Sequence, residues 1–353
     1  MIPRATLQRI LDIAVYAPSG DNAQPWRFVC NGNTVFIYNL PDRDATLYNF
    51  RQRGSYVGHG ALIENICIAA AHEGLETAVA YFPGPALCVA KIELTPDSKK
   101  EQPLYDMIKL RSCNRKPYDM KPLGPRDMTL IQDSVGHSGV SLVLIDDKED
   151  ISKLAVAVAT NERVLMEHKG LHDFLFSMIR WSRSEEQRSP GLFIRTMEFP
   201  GPVRILLKYV ISHWSLLKVL NLIGMSKSIA QQSGAVYKAS SVVGALIIDS
   251  DADQAYIDAG RVLQRIWLTA TLSGLSMQPI TAIPYLRDRV EAGESEMFSV
   301  EHRTLIRQAY AVMVRAFGIR REERHIAMVF RLGRGEKPSA TSHKLPPVVE
   351  YKA

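Results

Sequence analysis

Three stretches of this chain concentrate side chains able to grip a polar, anionic ligand. The run Ala17-Pro18-Ser19-Gly20-Asp21-Asn22-Ala23-Gln24-Pro25-Trp26 packs two prolines, a glycine and several small polar groups into ten residues. Such a loop offers hydroxyl, amide and backbone donors at a fixed position, which suits a polar heteroaromatic ligand. The plainer alternative is a loop that caps a helix. The run Arg111-Ser112-Cys113-Asn114-Arg115-Lys116-Pro117-Tyr118 carries two arginines four apart. On a helix these face the same way, and each is a planar donor fork for a dianionic phosphate. The alternative here is a solvated basic helix start. Downstream, His343 and Lys344 could close over the same phosphate, although exposed basic tails are common.

Other chemistries lack their residues. No GxGxxG follows a strand pattern and no P-loop is present. Cys30, Cys67, Cys88 and Cys113 form no CxxC pair, which excludes a zinc ribbon or thioredoxin-like motif. Such sparse cysteines fit a reducing compartment. His59 and His72 lie on an apolar helical pattern with no ligand partner at a suitable spacing. His168 and His172, with Glu167 and Asp173, could share a helix face, but a solvated lid helix is the simpler reading and no metal is expected. Ser19 lacks the GxSxG setting of a hydrolase nucleophile.

The elements that must position these groups are legible from periodicity. Leu7, Ile10, Leu11 and Ala14 put a helix over residues 4–16, and Pro18 and Gly20 end it. Residues 27–38 read as two short strands about Asn31-Gly32-Asn33. Residues 58–75 read as a long buried helix and residues 87–94 as a strand. Residues 60–75 (GALIENICIAAAHEGL) match residues 260–275 (GRVLQRIWLTATLSGL) without a gap. Gly60/Gly260, Ile66/Ile266, Ala70/Ala270, Gly74/Gly274 and Leu75/Leu275 are identical pairs. Each copy ends in Gly-Leu, as a glycine cap would. Strand patterns at 241–249 and 326–332 flank the second copy. Two similar α+β halves in one chain look like a fused dimer, which places sites at the interface of the halves.

Between the halves lies an unmatched segment, about 165–235. It opens with a helix over 165–181 and a polar loop over 184–190. Residues 202–224 then read as one helix with Arg204, Lys208, Ser215 and Lys218 in a narrow arc and nearly everything else apolar. That helix is a lid or core helix, or one lying on a membrane or over an apolar pocket.

The chain has 353 residues and a formal charge of +6. Residues 315–353 hold nine Lys/Arg against four Asp/Glu. This local excess points to a local anionic ligand or surface, and not to nucleic acid. No apolar signal-type stretch opens the chain and no run of 18 uncharged apolar residues occurs, so a cytoplasmic location is expected.

The four strings together resemble the nitroreductase superfamily. The loop at 17–26 resembles the family's flavin-contacting loop. The 111–118 string resembles the segment that holds the flavin phosphate, ribityl chain and pyrimidine oxygen. Gly274-Leu275-Ser276-Met277-Gln278-Pro279-Ile280 resembles the helix end and Pro-Ile turn beside the flavin ring. Arg331-Leu332-Gly333, with Ser342-His343-Lys344, resembles the closing strand and basic phosphate ligand. Within that superfamily the chain looks like the tandem proteins in which one chain holds both subunits. The resemblance implies an α+β nitroreductase-like fold with two pseudo-symmetric halves, residues 1–100 and 101–353, and a helical lid insertion. It implies one FMN per chain, held by Pro18, Ser19, Gly20, Asn22 and Gln24 from the first half. Arg111, Ser112, Asn114, Arg115, Pro279, Ile280, Arg334, His343 and Lys344 complete the site from the second. A reciprocal site would need a second such loop after Leu130, where only DSVGHSGVS stands; its His137 and Ser138 lie outside the described residues. The resemblance further implies a ping-pong oxidoreductase, passing electrons from NAD(P)H through flavin N5 to a small nitroaromatic, quinone-like or apolar acceptor, with no protein acid or base required. The alternative function is a flavin-sequestering protein whose lid blocks turnover. Cys113 and Arg334 depart from the family pattern, where Ser or Thr and an aromatic residue are common.

Overall fold

Leu7, Ile10, Leu11 and Ala14 recur at helical spacing, and the helix Arg4–Ala14 buries all four. The computed structural model describes residues 2–98, 101–136, 139–320 and 324–352. After the first helix, β1 (Trp26–Asn31) and β2 (Thr34–Asn39) form a hairpin whose two-residue loop begins at Gly32, with φ +57°. A first long helix, Arg53–His72, follows, and then β3 (Leu75–Tyr81) and β4 (Cys88–Pro96). The chain then runs through the short helix Pro125–Asp133, β5 (Ser141–Ile145), and the lid strands β6 (Ile179–Arg180) and β7 (Leu192–Phe193). It continues with β8 (Val242–Ile248), a second long helix Asp253–Leu272, β9 (Ser276–Pro279) and β10 (His325–Gly333), and ends in β11 (Val349–Lys352).

The two sheets repeat one topology. The first runs β1-β2-β4-β3 and the second β5-β8-β10-β9, with antiparallel neighbours throughout and a long helix after the second strand of each. Strand β11 pairs parallel to β1, extending the first sheet. Both long helices have 20 residues and stop before a left-handed glycine, Gly74 (φ +80°) and Gly274 (φ +68°), because only glycine takes that conformation without strain.

The long helices cross at the glycines that the repeat pairs. A Cβ on Gly60 would meet Ile257 O at 2.0 Å, and one on Gly260 would meet Val57 O at 2.0 Å. These contacts are reciprocal at an offset of 200 residues, the pattern of an isologous interface. Polar contacts flank the crossing. Glu64 accepts from Arg261 Nε (2.9 Å) and Arg265 Nε (2.6 Å), and Gln264 Nε2 donates to Asn65 Oδ1 (2.7 Å).

The lid departs from its expected elements. The single helix expected over 165–181 is two, Lys148–Glu167 and Lys169–Met178. They break at His168, whose extended backbone and Nδ1, accepting from Leu171 N–H at 3.2 Å, cap the second. The loop expected over 184–190 contains the helix Arg183–Arg188, capped by Ser182. Residues 202–224 are not one helix. Gly201–Leu206 runs into a π turn, Leu207–Ile211, and Trp214–Leu222 leaves it at 106°. Ser212 Oγ donates to Lys208 O (2.7 Å) and His213 is extended, so a side chain competes for the backbone at the corner. The basic stripe is therefore split between two arms. Leu207, Ile211 and Leu217 tie the arms to a separate core with Leu286, Val290 and Ile306. No single helix is long and apolar enough to cross a membrane among the described residues.

Candidate functional site

A cavity of about 410 Å³ lies where Val57 and Gly58 of the first long helix face Leu263 and Trp267 of the second. That volume suits a cofactor-sized ligand. The loop at 17–26 forms one wall, pressed so close to the first long helix that Gly58 faces Pro18 O and Ser19. Asp21, Asn22 and Gln24 all have φ near +50°, an unusual density of left-handed backbone that Asp and Asn tolerate better than most residues. The surroundings hold the loop in that shape. Ser19 Oγ accepts from Gln24 N–H (3.0 Å), and Asn22 Nδ2 donates to Gly191 O of the lid and His343 O of the tail (3.0 Å each).

Beside the loop the cavity wall is cationic. Arg111 donates from Nη2 to Tyr16 O (2.8 Å), and its guanidinium lies 4.4 Å from the Trp267 ring centroid. Its Nε is buried with no hydrogen-bond partner among the described residues. Burial lowers its pKa to about 10. Lys344 Nζ donates to Ala17 O (2.8 Å) and Asn22 Oδ1 (2.7 Å). Burial, and then the Arg111 charge, hold its pKa well below the ordinary lysine value. Two cations and an orphan donor beside the hydroxyl-bearing Ser19 and Ser112 make a site that gains by taking an anion.

A pair of carboxyls lines the same cavity. Asp44 Oδ2 accepts from Ser55 Oγ (3.2 Å), while its buried Oδ1 has no hydrogen-bond partner among the described residues. Burial, with the nearby Asp21, raises its pKa to about 7. Burial also raises that of Asp21, against the pull of Arg115. Because the folded value exceeds the ordinary one near 4, Asp44 favours folding most below pH 4, and that advantage is lost as pH rises to 7. The full difference corresponds to roughly 4 kcal/mol as an upper figure. Asp44→Asn is therefore expected to narrow the fall in melting temperature between pH 5 and pH 8. Parallel melting curves for wild type and variant across that range would refute a neutral Asp44.

Of the residues nominated from sequence, Pro18, Ser19, Gly20, Asn22, Arg111, Ser112, Arg115, Pro279 and Lys344 line the cavity. Arg111 and Arg115 converge without a helix, since the helix Met107–Leu110 stops before them and Pro117 bars helix at Lys116. The other nominated residues lie off the wall and act on the frame. Gln24 accepts from Leu345 N–H (2.9 Å), and Asn114 Nδ2 donates to Ser276 Oγ and Glu336 O (2.8 Å each). Ile280 belongs to an apolar core. Arg334 pairs with Asp127 (2.6 Å). His343 is exposed, with its backbone N–H bound to Glu186 Oε1 (2.7 Å). The sequence reading missed Asp44, Tyr48 and Asn161, of which the last two join the segment before the first long helix to the helix Lys148–Glu167 through a 2.9 Å hydrogen bond. It also missed Arg331 as a positioning residue: fully buried, it donates to Lys116 O (2.8 Å) and Gln278 Oε1 (2.8 Å). A charged residue inside an otherwise apolar strand was the available signal. His172, weighed as a metal ligand, places Nε2 2.8 Å from Ile211 O.

The Nitroreductase family model matches residues 1–51, the span that carries the loop. "Uncharacterized protein MT1398" of Mycobacterium tuberculosis is 23% identical over 347 residues, covering 97% of this chain and 47% of the relative. The chain thus spans about half of that relative's length. "Putative NAD(P)H nitroreductase Rv3131" of Mycobacterium tuberculosis is 25% identical over 308 residues, covering 81% of this chain and 80% of the relative. Among solved structures, the FMN-dependent nitroreductase NfnB from Mycobacterium smegmatis in complex with NADPH aligns at 14% identity, covering 67% of this chain and 88% of that one. Its TM-score of 0.37 is too low to carry weight. The Nitroreductase model thus matches this chain at the loop, and relatives that include a putative NAD(P)H nitroreductase align along most of its length.

Proposed function

We propose that the chain binds one FMN in this cavity and works as an NAD(P)H oxidoreductase on a small nitroaromatic, quinone-like or apolar acceptor. The observation that carries the reading is the half-buried pair Arg111 and Lys344, with the unpartnered Arg111 Nε, set against the left-handed loop at the cavity wall. FMN bound there would supply the redox centre that exchanges electrons with nicotinamide and acceptor. Arg111 and Lys344 hold the anionic end, with Ser19 and Ser112 as neutral donors. Arg115, anchored on Thr196 O (3.0 Å), keeps its remaining donors for a ring edge where negative charge builds up. Phe174, Leu175 and Leu192 of the lid exclude water. Residues 1–100 and 101–353 are read as a fused dimer, each giving one wall. No residue of the 202–224 segment lines the cavity.

The same lid contact favours a second reading, in which the flavin is held without turnover. An absorbance spectrum followed by anaerobic NADPH, then NADH, separates the two. Yellow protein that bleaches within seconds is the expected result. Yellow protein that only dithionite bleaches selects sequestration. Colourless protein that takes up no FMN overturns the site.

A further inference from the structure

The bent pair of lid helices turns the wrong side outward for a surface in contact only with water. Its inner face is filled by Leu207, Ile211 and Leu217, yet Ile205, Tyr209, Leu216, Val219, Leu222 and Ile223 are all exposed, the last two at 84% and 81%. Seven of the seventeen exposed large apolar side chains among the described residues fall in the nineteen residues 205–223. Scattered exposed apolar residues need no explanation, but a contiguous group does. The charge around the patch is one-sided. From Phe199 to Ile248 the chain has no Asp or Glu, while it has Arg204, Lys208, Lys218, Lys227 and Lys238. Lys208, Lys218 and Lys227 are exposed and make no ion pair among the described residues.

We propose that this L-shaped pair is a peripheral docking surface for an anionic lipid bilayer, with its apolar ridge in the acyl boundary and its lysines among the headgroups. The arms hold 11 and 9 residues, about 16 and 14 Å of helix, and their inner face is committed to the protein core, so they lie on a bilayer and do not span it. Charge complementarity selects lipid over a second copy of the chain: a two-fold contact through this patch brings like lysines together, whereas anionic headgroups neutralise them. The corner of the L is wired to the cavity. Ile211 O lies 2.8 Å from His172 Nε2, and the helix bearing His172 places Phe174 and Leu175 on the cavity wall. If the oxidoreductase reading holds, docking brings the lid side of the cavity toward acceptors dissolved in the bilayer; the docking itself does not depend on that reading.

The test is co-sedimentation of the full chain with vesicles of phosphatidylcholine alone and of phosphatidylcholine with 30% phosphatidylglycerol, read by protein in the pellet without any activity assay. Binding to the anionic vesicles, weakened by 0.5 M NaCl, is expected. Combining Lys208→Glu, Lys218→Glu and Lys227→Glu is expected to weaken it roughly 100-fold, and Leu222→Asp with Ile223→Asp to abolish it, with circular dichroism unchanged. No binding to anionic vesicles overturns the proposal. So does equal binding to both vesicle types, or a dimer in light scattering that Leu222→Asp with Ile223→Asp converts to monomer.

Discussion

Gly60→Ala is expected to cost at least about 3 kcal/mol and to lower the melting temperature by 5 °C or more, or to leave the protein insoluble. Helix propensity alone argues the other way, since alanine in place of glycine inside a helix gains up to about 1 kcal/mol. Sterics decide the balance. The new methyl would lie 2.0 Å from Ile257 O and 2.9 Å from Gly260 Cα, both backbone atoms that no rotamer change can move. The helices would have to separate by more than an ångström along a close-packed seam, which also breaks the Glu64 and Gln264 contacts across it. Gly260→Ala should behave the same way, because its Cβ meets Val57 O at 2.0 Å. Gly234→Ala is the control. It lies inside the helix Met225–Lys238, where its Cβ would reach Ala159 Cβ at an ordinary 3.5 Å, so propensity should win and stability should rise slightly. Thermal denaturation of the three variants checks this, and a Gly60→Ala protein that melts with wild type would refute the crossing.

Lys344→Met should move cofactor affinity and stability in opposite directions. A hydrogen bond from a charged donor to an anion is worth about 1.5–3 kcal/mol, so the FMN dissociation constant should rise roughly 10- to 100-fold. The apo protein should lose little stability and could gain some. Burial and Arg111 both disfavour the charged lysine, so replacement by a side chain of similar length relieves a like-charge pair. The lost bonds to Ala17 O and Asn22 Oδ1 offset part of that gain. Arg111→Lys should fail to preserve affinity, since an ammonium reproduces neither the guanidinium contact over the Trp267 ring nor the fork that leaves Nε free. Fluorescence titration of FMN and melting of the apo proteins give the two readouts. Unchanged FMN affinity in Lys344→Met would remove the lysine from the site.

The regular half of this architecture was legible because it is periodic. The apolar stripe at Leu7, Ile10, Leu11 and Ala14, the turn at Gly32 and the capped repeat at Gly74 and Gly274 all appear as elements near the expected bounds. The cation wall was legible from Arg111, Arg115 and Lys344, since basic residues clustered near small polar ones are few. What escaped depends on long-range contact. Asp44 is one acidic residue in a short 3₁₀ turn, and only folding places its unpartnered oxygen beside Asp21. Asn114 and Arg334 have the right side chains for a ligand but spend them on neighbours that sequence cannot place. The corner at Ser212-His213 was hidden by an apolar pattern that suits one long helix as well as two short ones.

The reciprocal crossing has a consequence for how the molecule can change. Position 64 faces position 265, and position 264 faces position 65; the first pair is Glu64 with Arg265 and the second Gln264 with Asn65. In an assembly of two identical chains each substitution is made twice, and an ion pair cannot be held on one side of the axis alone. Joined in a single polypeptide, the two sides accumulate changes independently, one keeping its charges while the other becomes an amide pair. The same linkage frees the cavity from mass action between subunits: its loop and its cations arrive together at any protein dilution, and its occupancy follows ligand concentration alone.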